Sequence, residues 1–369
     1  MCGIPGALFS GNRRGGGDRF LREKVMKNKK VACGVLILGF LIGIGCRQPL
    51  KETEKLVRDG IFPDFDLPGD TPVLFAPEFI CTGMYERDIA LSADGNELYF
   101  GVALGKIVTI METRRVNGVW MEPQITSFAR DLKYFYFEPC LSADGSRLLF
   151  LSTRPPAGKE PKPGWQHQNI WAVDRKEDGE WGLPYDLGSP INTDEGEYFP
   201  SLTREGTLYF TRSAAQGKPA VFRARAVNGK FGMPEKLPAS VNGEGSPYNA
   251  FISADESMLV ACVAGRKDCV TPGFADYYVF FRNENDDWSE GINLGKAVNP
   301  ENENAVSASF SPDGKILFLA STRMPMPEMP IADSVMHYQL LKRHAAPQNG
   351  SADIYWMRAD FIERLNPLK

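Results

Sequence analysis

Histidine is nearly missing from this sequence: His167, His337 and His344 are the only three in 369 residues. That is too few for a metal site built from several imidazoles, and it leaves little for histidine-based acid–base chemistry. Paired C-x-x-C, H-E-x-x-H, G-x-x-x-x-G-K-[ST] and G-x-S-x-G are absent as well. Zinc ribbons, zincins, P-loop NTPases and hydrolases with a nucleophile elbow are thereby excluded. Net charge is −4, so there is no basic excess to hold a nucleic-acid backbone. No cofactor, no metal and no nucleic-acid partner is expected. Long apolar runs are scarce too. The one present, Val31–Gly45, has 15 residues, short of the ~20 that a membrane-spanning helix needs.

That run reads as a targeting segment rather than fold. Lys27, Lys29 and Lys30 precede it and Cys46 ends it. The stretch resembles a bacterial lipoprotein signal, although Gly43 stands where that pattern prefers an aliphatic residue. The resemblance implies lipidation of Cys46 and a membrane anchor in the cell envelope, on the periplasmic side or the outer membrane. Met26 begins a more natural signal than Met1, so residues 1–25 read as an upstream misread start. The expected organisation is a signal over 1–45, a tether over 46–70 and one domain over 71–369. Export permits disulfides. Cys262 and Cys269 flank a short loop and are the candidate bridge, with buried thiols as the alternative.

What the sequence has in quantity is turn. It holds 36 glycines and 27 prolines, and a repeat organises them. Asp94-Gly95, Asp144-Gly145, Glu205-Gly206, Asp255-Glu256 and Asp313-Gly314 follow one another at steps of 50, 61, 50 and 58 residues. After each comes an apolar strand, such as Leu98-Tyr99-Phe100 or Leu317-Phe318-Leu319. A third strand follows, then a second turn with an aromatic just behind it: Trp120, Trp181, Phe231 or Trp288. Pro123, Pro184 and Pro234 then suit an outermost strand that can spare a backbone donor. The unit is a four-stranded antiparallel meander, and second strands apolar at every position require cover on both faces.

The fifth copy lacks a fourth strand. Pro72–Phe75, ahead of the first copy, resembles the fourth strand of the third. Pairing of the two chain ends closes a ring without an exposed edge. The expected fold is therefore all-β: a β-propeller of five four-stranded blades, closed by the N-terminal strand. A sixth blade near residues 47–90 is the alternative, for which that region is short. Copies three and four carry Glu205 and Glu256 in their turns, and looser turns are expected there.

The S-x-D-G pattern resembles the TolB-type, WD-like propeller repeat of bacterial envelope proteins. It stands here as Ser92–Gly95, Ser142–Gly145 and Ser311–Gly314, with Ser152-Thr153-Arg154 and Ser321-Thr322-Arg323 after the second strand. The resemblance covers about residues 71–360. It implies fold far more than function.

In such a ring the entries to the innermost strands converge on one face. Six to nine residues before each turn lie Glu86, Arg87, Asp88, Tyr136, Glu138, Glu197, Tyr198, Tyr248, Asn249 and Asn304. They compose a candidate polar floor with aromatic walls, or else a channel closed by mutual hydrogen bonds. Arg154, Arg212, Arg266 and Arg323 end the second strands. They read first as parts of the repeat and second as a cationic rim. Pro155–Gln168, Gly265–Gly273 and Met324–Ser351 are enlarged loops on the same face. The first offers Trp165 as an aromatic platform. In the last, Met324, Met326 and Met329 with His337 and His344 make a weak soft-metal reading.

The leading functional reading is a non-catalytic, envelope-anchored binding or scaffold module for a protein, peptide or glycan. The alternative is a carbohydrate-active enzyme using Glu86, Asp88, Glu138 or Glu197 as an acid and base about 5–10 Å apart.

Overall fold

The computed structural model describes residues 68–214, 217–227, 229–325 and 337–368. The signal-like run, Cys46 and most of the tether lie outside them. Each repeat is one antiparallel sheet of four strands. The innermost strands are Tyr85–Leu91, Tyr136–Leu141, Glu197–Leu202, Ser246–Ile252 and Ala305–Phe310. Each pairs with a second strand, as Glu97–Leu104 does in blade 1 and Ile316–Ser321 in blade 5. Third strands run from Ile107–Val116 in the first blade to Asp353–Arg358 in the last. Innermost strands touch their neighbours in the order 1-2-3-4-5-1, so the blades form a closed ring.

Blade 5 takes its outer strand from the other end of the chain. Val73–Leu74 pairs with Asp353–Arg358, and the Phe75 N–H donates to the Ile354 carbonyl at 2.9 Å. The ring has five blades; residues 68–91 supply only this closing strand and the first innermost one.

Tight turns set the register of each hairpin. The Ser92 hydroxyl donates to Asp94, and Asp94 accepts the Asn96 N–H. Ser311 and Asp313 repeat this arrangement. Blade 4 departs from expectation. Glu256 adopts φ 62°, close to the 72° of Gly314, and the Ser253–Asp255 bonds are complete. The turn is as tight as its neighbours, because side-chain hydrogen bonds hold a left-handed residue in place. Blade 3 keeps Gly206, but only the Thr203 hydroxyl caps its turn.

Apolar clusters lie between blades. Leu148, Leu149, Phe150 and Leu151 are all buried, with successive residues packed against opposite neighbours. This is why the second strands show no polar alternation.

Candidate functional site

A bulge interrupts the pairing of every innermost strand with its second strand. In four blades the residue at the bulge is left-handed: Asp88 at φ 58°, Glu138 at 61°, Phe199 at 53° and Asn249 at 48°. Ser307 holds the equivalent place in blade 5. All five stand six residues before the turn Asp or its equivalent. A bulge re-aims its side chain, and these five converge on a collar around the ring axis.

Hydrogen bonds pass from blade to blade around that collar. The Asp88 N–H donates to the Ser307 hydroxyl at 3.3 Å. Arg87 lies 2.6 Å from the Asp88 carboxylate and 3.4 Å from Glu138. Glu138 accepts the Phe199 N–H at 2.6 Å. Ser201 donates to the Ala250 carbonyl. The Asn249 amide donates to the Val306 carbonyl at 2.7 Å. Asp88, Glu138, Phe199, Asn249 and Ser307 are all buried. The space beside Asp88 and Ser307 amounts to about 10 Å³, room for one water.

This geometry sets the four candidate carboxylates against partners within the protein. A sugar needs an acid and a base that it can reach. Asp88 and Glu138 are instead bound to Arg87. Burial raises the pKa of Glu138, an effect that Arg87 opposes. Glu197 is fully buried, 2.7 Å from Arg212 and bonded to the Thr193 hydroxyl. Glu86 is fully buried beneath Thr82, whose N–H and hydroxyl both donate to it.

Other expected site residues are also engaged. Tyr136 is buried between blades 1 and 2, and Tyr198 is buried at the collar. Asn304 accepts the Ala275 N–H. Tyr248 is half-buried and donates to the Ala305 carbonyl at 3.3 Å. The four arginines serve the repeat. Arg154, Arg212, Arg266 and Arg323 each lie over an aromatic of their own blade's third strand: Trp171, Phe222, Tyr278 and Tyr355. Arg212 and Arg323 also donate to the Ile191 and Val298 carbonyls.

The Cys262–Cys269 bridge does not form. Cys262 faces the cluster shared with blade 5. Cys269 packs on the opposite face, with Val263 and Tyr278. Alternation along the strand separates the two sulfurs by the thickness of the sheet.

A polar seam lies where the ring closes. The Cys81 thiol donates to the Ile354 carbonyl and accepts the Ile354 N–H. Glu86 and Asp353 are buried nearby, and each acts electrostatically on Cys81. Burial pushes Glu86 up to about 7 and Asp353 up to about 6. Both folded pKa values lie above the ordinary carboxylate range. The folded state therefore holds more protons than the unfolded one between about pH 4 and 7, and stability from these groups falls as pH rises through that window. Glu86→Gln is expected to flatten the slope and to raise stability at pH 8 by on the order of 2–3 kcal/mol. Urea unfolding of both proteins at pH 5 and pH 8 measures this; an unchanged slope refutes it.

Above the collar the surface is aromatic. Trp165, in the 155–168 insertion, lies 4.8 Å from the Phe135 ring and 6.1 Å from Phe137. Phe137, Tyr198 and Phe199 are buried beneath, with half-buried Tyr85, Tyr248 and Phe251 beside them. Gly101 makes room for this arrangement, because a Cβ there would stand 2.7 Å from the Phe137 ring. The plateau spans the innermost strands of blades 1 to 4.

One motif escaped the sequence reading. An aliphatic residue and asparagine precede three innermost strands: Ile191-Asn192, Val241-Asn242 and Val298-Asn299. Each asparagine clasps the N–H and C=O of one residue in the preceding third strand: Ile170, Val221 and Tyr277. Ile80-Cys81 stands at the same place, with sulfur doing the work of the amide. The recurring aliphatic–asparagine pair ahead of the strand was the available signal. Among the described residues no three His, Cys, Asp or Glu side chains are placed to hold a metal. His337 and His344 occupy the two ends of an exposed helix, and Met326 and Met329 lie outside the described residues.

No family model and no curated protein matches the sequence. Among solved structures, TolB from Acinetobacter baumannii is similar at 16% identity and TM-score 0.41, covering 74% of this chain and 57% of its own. A protein of unknown function from Dyadobacter fermentans aligns at 13% identity and TM-score 0.43, over 70% of this chain and 81% of its own. The α-L-arabinofuranosidase PaAbf62A from Podospora anserina aligns at 8% identity and TM-score 0.44, over 79% and 94%. The chain spans little more than half of the Acinetobacter protein's length.

Proposed function

We propose that this protein is a non-catalytic recognition module of the bacterial cell envelope. In this reading Cys46 carries the lipid anchor, residues 47–70 form the tether, and the plateau around Trp165 takes up a protein segment, peptide or glycan. The observation that carries the reading is the buried collar beneath an aromatic surface. The collar carboxylates are buried and held by partners within the protein, whereas a partly buried indole packed on two phenyl rings offers a rigid stacking face.

Titration of the full chain with defined envelope glycan fragments and envelope peptides, read by tryptophan fluorescence, tests it. Trp165→Ala is expected to weaken binding at least about tenfold while costing only about 1 kcal/mol of stability. Trp165→Phe is expected to restore part of the affinity. Turnover of any glycan by the purified protein, or binding indifferent to Trp165, would overturn the reading.

A further inference from the structure

The helix His337–His344 is turned inside out. Gln339 and Arg343, one turn apart, are its half-buried residues. Arg343 donates to the Pro325 carbonyl at 3.0 Å. Tyr338, Leu340 and Leu341 point outward and are 59%, 58% and 54% exposed. An ordinary surface helix of a globular protein shows the reverse pattern.

The helix is firmly seated. Asn349 donates to both the His344 and Gly83 carbonyls. A Cβ on Gly83 would stand 2.6 Å from the His344 carbonyl oxygen. This places the end of the helix at the entry of blade 1, where Tyr85 pairs with Ala103. Immediately beyond Ala103 lies a second outward apolar point, the hairpin tip Leu104-Gly105-Lys106-Ile107, with Leu104 and Ile107 exposed. Leu132, on the loop into blade 2, is exposed on the same face.

Charge distinguishes what these points fit. The helix and the hairpin tip contain Lys106, Lys342 and Arg343 and no carboxylate. Around Leu132, Arg130 and Lys133 outnumber Asp131. The sector is locally basic in a chain whose net charge is −4. Outward aliphatics and a tyrosine among cations are what an anionic bilayer interface accepts: side chains enter the headgroup layer while lysines and arginines meet lipid phosphates.

We infer that the blade 5 to blade 1 sector of this face, built from the helix His337–His344 and the tip Leu104–Ile107, docks on anionic lipid bilayers. It adjoins the Trp165 plateau at Tyr85, Ala103 and Val108, and the two assignments are tested by different variants, so either can fail without the other.

The test uses the full chain with vesicles of phosphatidylcholine alone or with one third phosphatidylglycerol. Because apolar residues 31–45 can enter either bilayer, the readouts are differential: sedimentation with each vesicle, and hydrogen exchange of 104–107 and 337–344. Expected is roughly tenfold tighter binding to the anionic vesicles. Exchange protection should appear in both segments. The double variant Leu340→Glu/Leu341→Glu, at exposed positions, should bind both vesicles equally and keep the native melting temperature. Lys106→Glu/Lys342→Glu should do the same. Equal binding of the native chain to both vesicles, or protection unaffected by the variants, overturns the inference. So does a self-associated native chain that these substitutions convert to monomer.

Discussion

Arg87→Ala is expected to cost about 3–5 kcal/mol of stability, because removing one partner of a buried ion pair strands the other. Two carboxylates depend on this guanidinium, Asp88 at 2.6 Å and Glu138 at 3.4 Å, and all three belong to the collar. The Arg87 side chain is only 12% exposed, so solvent does little to screen the loss. The guanidinium also lies 5.4 Å from the centre of the Phe137 ring, which adds a smaller cation–π contribution. The effect should depend on pH. Burial already raises the pKa of Glu138, and without Arg87 it rises further. The variant should therefore regain stability as pH falls and Glu138 is protonated. Glu138→Gln in the Arg87→Ala background should recover part of the loss at neutral pH. A glutamine amide can still accept the Phe199 N–H and carries no charge to bury. Urea unfolding at pH 5 and pH 8 reads all three proteins. A loss below about 1 kcal/mol at pH 8 would show that water reaches the collar and that the channel is open.

The same collar shows where sequence reasoning stops. The turn motifs, the apolar second strands and the closing strand were legible because each is a local pattern: a left-handed turn, a run without alternation, a proline at an edge. The positions of Asp88, Glu138 and Asn249 were legible too, since a fixed offset from each turn located them. Their chemistry was not. Four carboxylates near a ring axis are compatible with catalysis or with closure. The choice depends on the bulge, which adds one residue and redirects the side chain. The failed Cys262–Cys269 bridge has a similar origin. Seven residues of separation permit a loop closure, but the face of the strand on which Cys262 falls forbids it. Cys81 was unreadable as a clasp, because nothing in a lone cysteine announces that its sulfur replaces an asparagine amide. Trp165 was legible as an aromatic in an insertion, whereas its partial burial against Phe135 depends on how a 14-residue loop folds back.

Phe75→Ala should have an effect of similar size, about 3–5 kcal/mol, and should act on cooperativity as well. Phe75 is 1% exposed and follows directly after the strand that closes the ring. Its ring packs edge-on against Phe318 at 5.3 Å and Trp356 at 5.5 Å. Phe318 belongs to the second strand of blade 5 and Trp356 to its third. One side chain thus fastens the beginning of the domain to its last two strands, across nearly the whole chain. Loss of this contact loosens the closing strand from the sheet edge that it covers. Hydrogen exchange should consequently quicken in 353–358 before it does in blades 2 and 3, whereas Arg87→Ala should quicken exchange around the whole collar. Phe75→Leu, which refills most of the volume, should cost less than half as much. A linked effect makes the argument specific to the seam. Glu86 and Asp353 owe their raised pKa values to burial at this junction. If Phe75→Ala loosens the junction, water enters, both carboxylates return toward ordinary values, and the stability slope between pH 5 and pH 8 flattens. A destabilised variant that retains the full slope would mean that the seam stays dry without its closing strand. The ring would then be held by contacts between the innermost strands, and the pairing of the two chain ends would be secondary.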